Sequence, residues 1–385
     1  MNQTINNNIN RFSLYFLFFI ILAKVVRYTI MFDRLVLCGR GWDYVRDINV
    51  DNNSFAFNFF SNNNYVRGSV AVNNVKAFCS SINIFGIDSY YGWEILITII
   101  FNIILYRLVV QFYNNNPFIG KKENIFIYLN VIILNIFCFC LAKEFFQMLF
   151  WIITMIAIKN ARTRWQGYFR VALALGITVL FTRKYYGLMF VYFIIVDFFV
   201  DKVFSTVDVT TRRGKIKIVF SIIFLLTIMA FMYFILSSFL MMEAEDVYDE
   251  MERVNTTDRG AAVGAVSAIT PIFNRGDGVV ILTLEYFIKI FRLMFPIELL
   301  LHFKPTYVIT IFFQGLLFYF IVNNLIHRQH CTLENKFATD LFIAFWLMSA
   351  AFEPDFGSWL RHQSVVFPVT LYMLQNNRSF YIICR

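Results

Sequence analysis

The chain has 385 residues, long enough for two or three soluble domains, yet 59% are hydrophobic, 19% aromatic and only 15% charged. A soluble domain carries about 45–50% apolar and about 25% charged residues, so this chain lacks the polar surface to cover itself in water. The net charge of +9 does not mark a nucleic-acid partner, because the basic residues cluster in short segments between apolar runs, the pattern that orients a membrane protein.

Taken in chain order, a polar start, MNQTINNNINR, precedes an apolar run over 12–32 that has no A-x-A-like cleavage site and reads as a signal anchor. Lys24 and Arg27 stand at i, i+3 on one face of this run and are expected to snorkel outward, the alternative being that they look into a cavity. The segment 33–92 reads as a long first loop. Runs over 93–112, 216–242 and 306–326 are each long enough to cross a membrane alone.

The run 125–158 is apolar for 34 residues. As one helix it would extend ~51 Å against a hydrocarbon core of ~30 Å, so it predicts a helical hairpin that turns at Lys143-Glu144. The run 168–200 predicts a second hairpin, turning at Arg183-Lys184. In 279–301, Glu285, Lys289 and Arg292 recur at i, i+4, i+7, with Glu285 placed to pair with Lys289. That stripe predicts an amphipathic helix lying in the membrane interface and ended by Pro296. The expected fold class is an all-α polytopic membrane bundle of about 10 crossings plus this helix, one integral-membrane domain over 1–385.

Lys121-Lys122, KNARTR (159–164), RRGKIK (212–217) and the loop 327–336 are basic, which places them and both termini in the cytoplasm. Facing outward are then the first loop (33–92), a second large loop with the amphipathic helix (243–301), and a bend at 353–362. The six cysteines, Cys38, Cys79, Cys138, Cys140, Cys331 and Cys384, show no metal-ligand spacing, so no metal or other cofactor is expected. Cys38 and Cys79 both face out and are candidates for a disulfide.

Some basic residues stand on the outer side against the charge bias: Arg183-Lys184, Arg361-His362, Arg259 and Arg275. Together they suggest an anionic partner there, such as the diphosphate of a lipid carrier. The densest constellation is EPDFGSWLRHQSVVFP, where Pro354 and Gly357 break the helix and gather Glu353, Asp355, Ser358, Arg361 and His362 at a bend. Asp355 or Glu353 is the candidate general base for a sugar hydroxyl, with His362 next. A plain structural turn with Asp355 paired to Arg361 is the alternative. Trp42, Tyr90, Tyr91 and Trp359 offer flat apolar faces for sugar rings. The segment 255–278 sets small residues between Arg259 and Arg275 and has neither Walker A spacing nor a dinucleotide fingerprint.

EPDFGSWLRH, NTTDRG with its small-residue stretch, RLMFPIELLL, KEFFQ and RKYYGL together resemble the bacterial polysaccharide repeat-unit polymerases of the Wzy type, over much of the chain from about residue 85 onward. The resemblance implies transfer of a growing glycan from undecaprenyl diphosphate to the next lipid-linked unit, on the outer face of the bacterial cytoplasmic (inner) membrane, during O-antigen or capsular polysaccharide synthesis. The implied partners are undecaprenyl-diphosphate-linked oligosaccharides, a chain-length regulator and a flippase, with no nucleic acid. On that reading Arg183, Lys184, Arg259, Arg275 and Arg361 hold the diphosphate. Tyr91 and Trp359 contact sugars, and Asp355, Glu353 and His362 move protons. One alternative is a multi-spanning lipid-phosphate-dependent glycosyltransferase. It typically carries an acidic pair in the first outer loop, whereas Asp33, Asp43, Asp47, Asp51 and Asp88 are nowhere adjacent. The other is a lipid-linked oligosaccharide flippase, for which inverted repeats are expected and no internal repeat is visible.

Overall fold

A computed structural model describes residues 2–30, 70–84, 86–87, 90–116, 119–140, 142–182, 186–204, 211–243, 268–273, 279–302, 305–353 and 355–374. The described residues are 87% helical, with no strand among them beyond one isolated bridge, Ala268 to Asp355. They pack as two compact units, residues 1–187 with 361–385, and residues 188–360. Four helices are long and apolar enough to cross a bilayer, over Ile9–Thr29, Gly92–Asn115, Arg212–Ile235 and Tyr307–Ile326. These cover the first apolar run and the three runs expected to cross alone.

The first unit holds α1 (Asn2–Ile30), α2 (Val70–Ile82), α3 (Tyr90–Asn115), α4 (Lys121–Phe137), α5 (Lys143–Lys159) and α6 (Arg164–Phe181). Late in the chain α13 (Phe367–Met373) joins it, packing on α3 and α5. The long run 125–158 is two helices, as its length demands, but the break covers 138–142, just before the expected turn. Ala142 is the extended N-cap residue of α5, and Lys143-Glu144 form its first turn. Helices α4 and α5 have 17 residues each, the short end of the roughly 17–25 residue range for a crossing. Thr163 caps α6 by accepting from the Gln166 N–H.

Helix α1 lies along α4 and α3 through an aromatic seam of Phe12, Phe16, Tyr106 and Tyr128. Asn102 and Asn135 exchange two amide hydrogen bonds of 2.8 and 2.9 Å between α3 and α4. In an apolar surround such reciprocal bonding fixes register where apolar packing alone does not. On the other face of α1, Leu14, Leu17, Phe18, Ile21 and Val25 are exposed, the apolar belt that lipid would cover.

Lys24 and Arg27 do not snorkel. Arg27 is 1% exposed and donates from Nε to Glu94 at 2.7 Å and from Nη1 to the Ile136 carbonyl at 2.6 Å. Lys24 reaches the same Glu94 at 3.0 Å and the Phe139 carbonyl at 2.9 Å. A cation within a crossing costs about 2.5–3.5 kcal/mol on insertion scales. A carboxylate on α3 and two carbonyls freed by the α4 terminus supply the compensation, so the cations turn inward.

The second unit holds α7 (Tyr186–Phe204), α8 (Arg212–Glu243), α9 (Val279–Met294), α10 (Pro305–Ile326) and α11 (Leu333–Phe352). The run 168–200 thus also holds two helices, α6 ending at Phe181 and α7 beginning at Tyr186, and the expected turn at Arg183-Lys184 lies outside the described residues. Ile216, Val219, Phe220, Ile223, Phe224 and Phe231 are exposed along α8, a second belt for lipid. Helix α9 ends before Pro296 and gives way to a short 3-10 helix, Ile297–His302. Its charged stripe faces the protein, with Glu285 still acting electrostatically on Lys289 as their spacing predicts. Glu285 is 4% exposed and accepts the N–H groups of Ile272 and Phe273, both at 2.6 Å. Arg292 pairs with Glu298 at 2.9 Å and donates to the Thr270 carbonyl at 2.6 Å. The stripe therefore satisfies the backbone of the segment 268–273.

Arg328 was expected in a cytoplasmic basic loop. It is 1% exposed, and its guanidinium meets Asp340 at 2.6 and 2.9 Å, Asp197 at 3.0 Å and Asp201 at 3.4 Å. Asp197 and Asp340 are fully buried. One residue thereby ties α7 to α11. Breaking a buried ion pair from one side leaves a charge without its partner and costs about 3–5 kcal/mol.

Accordingly, Arg27→Met lowers the melting temperature of detergent-purified protein sharply, and adding Glu94→Gln recovers most of the loss. Arg328→Met does the same to the second unit, read by proteolysis within 188–360, and Arg328→Lys does not rescue it because an ammonium cannot reproduce the forked contact with Asp340. Wild-type melting of either single variant would show that these pairs carry no structural weight.

Candidate functional site

Helix α12 (Phe356–Val365) follows α11 after a break at 353–355, where the sequence places its bend. Glu353 is the C-cap residue of α11. Asp355 accepts the Ser358 N–H at 2.8 Å, an N-cap bond for α12, and its backbone carries the bridge to Ala268. The Asp355 carboxylate thus has a structural partner of its own. Trp359 is 1% exposed and stacks on Phe345 at 5.5 Å, so it is a core residue and not an open platform for a sugar ring. Tyr91 lies in the first turn of α3. Arg183, Lys184, Arg259 and Arg275 lie outside the described residues, as do Trp42 and the 33–69 part of the first loop.

Within the second unit, Lys289 is 4% exposed. Burial pushes its ammonium down to about 7, against the opposing pull of the Glu353 carboxylate and with Arg292 adding to the depression. Glu353, also 2% exposed, belongs to this charged cluster with Glu285.

The arrangement with the clearest chemistry is in the first unit, where Arg361 and His362 are brought to Glu144. Arg361 Nη1 and His362 Nε2 both stand 3.8 Å from Glu144 Oε1. Asp355 is not the partner of Arg361. Glu144 and His362 are 1% and 3% exposed, while Arg361 keeps 15% of its side chain open. Lys143 adds a further cation beside the carboxylate. The break at 138–142 forms the wall of this cluster. The Cys138 thiol donates to the Arg361 carbonyl at 3.8 Å, and Phe139 presents its carbonyl to Lys24 and to Thr98. Lys143, Arg361 and, when protonated, His362 outnumber the single Glu144 charge, so the cluster favours an anion.

Its chemistry has three parts. A part-exposed guanidinium can hold a phosphate bidentately. A buried imidazole beside a carboxylate can accept or return a proton. Nearby acceptor and donor atoms are still open: neither Glu144 oxygen, nor either end of the Gln147 and Gln363 amides, has a hydrogen-bond partner among the described residues. Each such buried group left unsatisfied costs about 1–3 kcal/mol, a cost that a ligand can remove. Sequence reading placed Glu144 in a loop and passed over Gln147 and Gln363. The signal for the first two was a polar pair at i, i+3 on one face of an apolar helix.

No group of three or more His, Cys, Asp or Glu side chains positioned to hold a metal occurs among the described residues. Cys79 is a free, buried thiol, and Cys38, its candidate partner for a disulfide, lies outside the described residues. No protein-family model, curated protein or solved structure matches the chain.

If the Glu144 carboxylate balances Arg361 and His362, Glu144→Gln removes the attraction while keeping the shape. The expected result is weaker retention of α12 and α13, seen as faster backbone hydrogen exchange over 361–373 with α1 to α4 unchanged. Unaltered exchange in that segment would mean that the 3.8 Å contacts are incidental.

Proposed function

We propose that this protein polymerises lipid-linked glycan units, transferring a growing chain from undecaprenyl diphosphate to the next lipid-linked repeat unit. The observation that carries the reading is the meeting of Arg361, His362 and Lys143 around Glu144 at the break between α4 and α5. In the ten-crossing arrangement with both termini in the cytoplasm, this end of α5 and of α12 faces outward, where lipid-linked units await assembly. The basic segments at 121–122, 159–164 and 212–217 support that orientation.

The chemistry runs as follows. Arg361 holds the donor diphosphate and stabilises the charge that builds on it as its bond to the anomeric carbon breaks and that carbon bonds to the acceptor oxygen. His362 accepts the proton of the attacking acceptor hydroxyl, and Glu144 stabilises the imidazolium that results. Arg183, Lys184, Arg259 and Arg275 remain part of the proposal as further diphosphate contacts, with Glu353 and Asp355 as alternative bases and Tyr91 as a sugar contact. A chain-length regulator and a flippase are the proposed partners in the inner membrane. A flippase reading of this chain itself draws support from the buried Asp197–Arg328–Asp340 cluster, since ionisable groups inside a membrane bundle often mark a transport path.

Arg361→Ala should leave insertion and abundance unchanged and cut polymerisation at least roughly 100-fold, the effect of losing one stabilising donor. The surface glycan on a gel then shows single-unit caps and no ladder. An unchanged ladder sinks the role of Arg361, and complete loss of surface glycan in a gene deletion favours the flippase. Orientation is tested with Cys331 kept as the sole cysteine. A membrane-impermeant thiol reagent should label it in inverted vesicles and not in intact cells, and labelling in intact cells overturns the ten-crossing map.

A further inference from the structure

We propose that Gln147 and Gln363 form a subsite for the uncharged sugar next to the diphosphate, each amide hydrogen-bonding ring hydroxyls beside the Glu144–His362 contact. The inference rests on the polymerase reading and deepens it from the anion to the sugar. Gln147 is 1% and Gln363 2% exposed, and neither amide has a partner at either end among the described residues. Gln147 stands one turn along α5 from Glu144, on the same face, and Gln363 follows His362 in α12.

A carboxamide carries two donors and an acceptor in one plane, and each sugar hydroxyl donates once and accepts twice. A pair of such amides matches a hydroxyl-rich ligand and has no charge with which to hold an anion. That divides the site by chemistry: Arg361 and Lys143 for the phosphates, the amides and the open Glu144 oxygens for hydroxyls. An orphaned amide kept in a helix core is a stability loss that apolar residues would avoid, and such losses are retained where binding needs them.

The test uses full-length protein in detergent and two probes: undecaprenyl diphosphate without sugar, and the lipid-linked single units extracted from a deletion strain. Affinity is read from the ligand-induced rise in melting temperature. Gln147→Leu and Gln363→Leu are each expected to melt at or above the wild-type temperature without ligand. They should bind the bare lipid as wild type does and bind the sugar-bearing lipid roughly tenfold more weakly, about 1.4 kcal/mol. Wild-type affinity for the sugar-bearing lipid in both variants means that the amides hold ordered water only, and overturns the proposal. A fall in ligand-free melting temperature in both also overturns it, since the amides then have partners within the protein. Failure of the underlying reading looks different: Arg361→Ala would bind both lipids as wild type does, or neither lipid would stabilise the wild-type protein.

Discussion

A charge removed from water must take its counter-charge with it, and the helices of this protein are tied together where that requirement is met. Arg27 on α1 finds Glu94 on α3, 67 positions away, and the carbonyls left open where α4 ends. Arg328 finds Asp197 on α7 and Asp340 on α11. Apolar packing holds helices together with little preference for register when the surround is lipid, because lipid tails compete on equal terms for the same surface. A guanidinium with two or three fixed acceptors tolerates no slip of a turn. The exposed leucines, isoleucines and phenylalanines of α1 and α8 therefore decide that these helices sit in a membrane, while a few buried ions decide which helices meet and at what height.

Much of the helical plan was legible in the sequence because it follows from length. A run of 34 apolar residues exceeds the thickness of the hydrocarbon, so 125–158 has to divide, and the same holds for 168–200. The bend before α12 was legible because Pro354 and Gly357 interrupt an apolar stretch. The exact place of the α4–α5 break was not. Charged residues attract the eye as loops, yet Glu144 lies in the first turn of a helix, and the residues that leave the helix are Cys138, Phe139, Cys140 and Ala142, with no polarity to announce it. What stops α4 there is outside the segment itself: Lys24 and Arg27 take the Phe139 and Ile136 carbonyls.

The same limit explains the misread charges. Periodicity says that Lys24 and Arg27, or Glu285, Lys289 and Arg292, share a helix face, but it cannot say what that face meets. A charged stripe on a water-soluble helix points outward because water is the cheapest partner. Beside a membrane the cheapest partner is another protein group, so the face that looks polar in sequence turns inward, as Glu285 does toward the N–H groups of Ile272 and Phe273. Arg328 illustrates the consequence for charge counting. It contributes to a basic loop on paper, yet its charge is spent within the protein on Asp197 and Asp340, so the loop itself carries one positive charge fewer to set orientation.

Two kinds of buried ion cluster can then be told apart by how fully they are satisfied. In the Arg27 cluster, distances run from 2.6 to 3.0 Å for its shorter contacts, and both oxygens of Glu94 accept a bond. Around Glu144 the two cations stop at 3.8 Å and neither carboxylate oxygen accepts a hydrogen bond among the described residues. Burial is equally deep in the two cases, so desolvation alone does not separate them. A purely structural ion pair gains by closing to hydrogen-bond distance, because the Coulomb attraction and the bond both strengthen. An arrangement that stays open at the same burial forgoes that gain, and the gain left unmade is available to whatever enters between Glu144, Arg361 and His362.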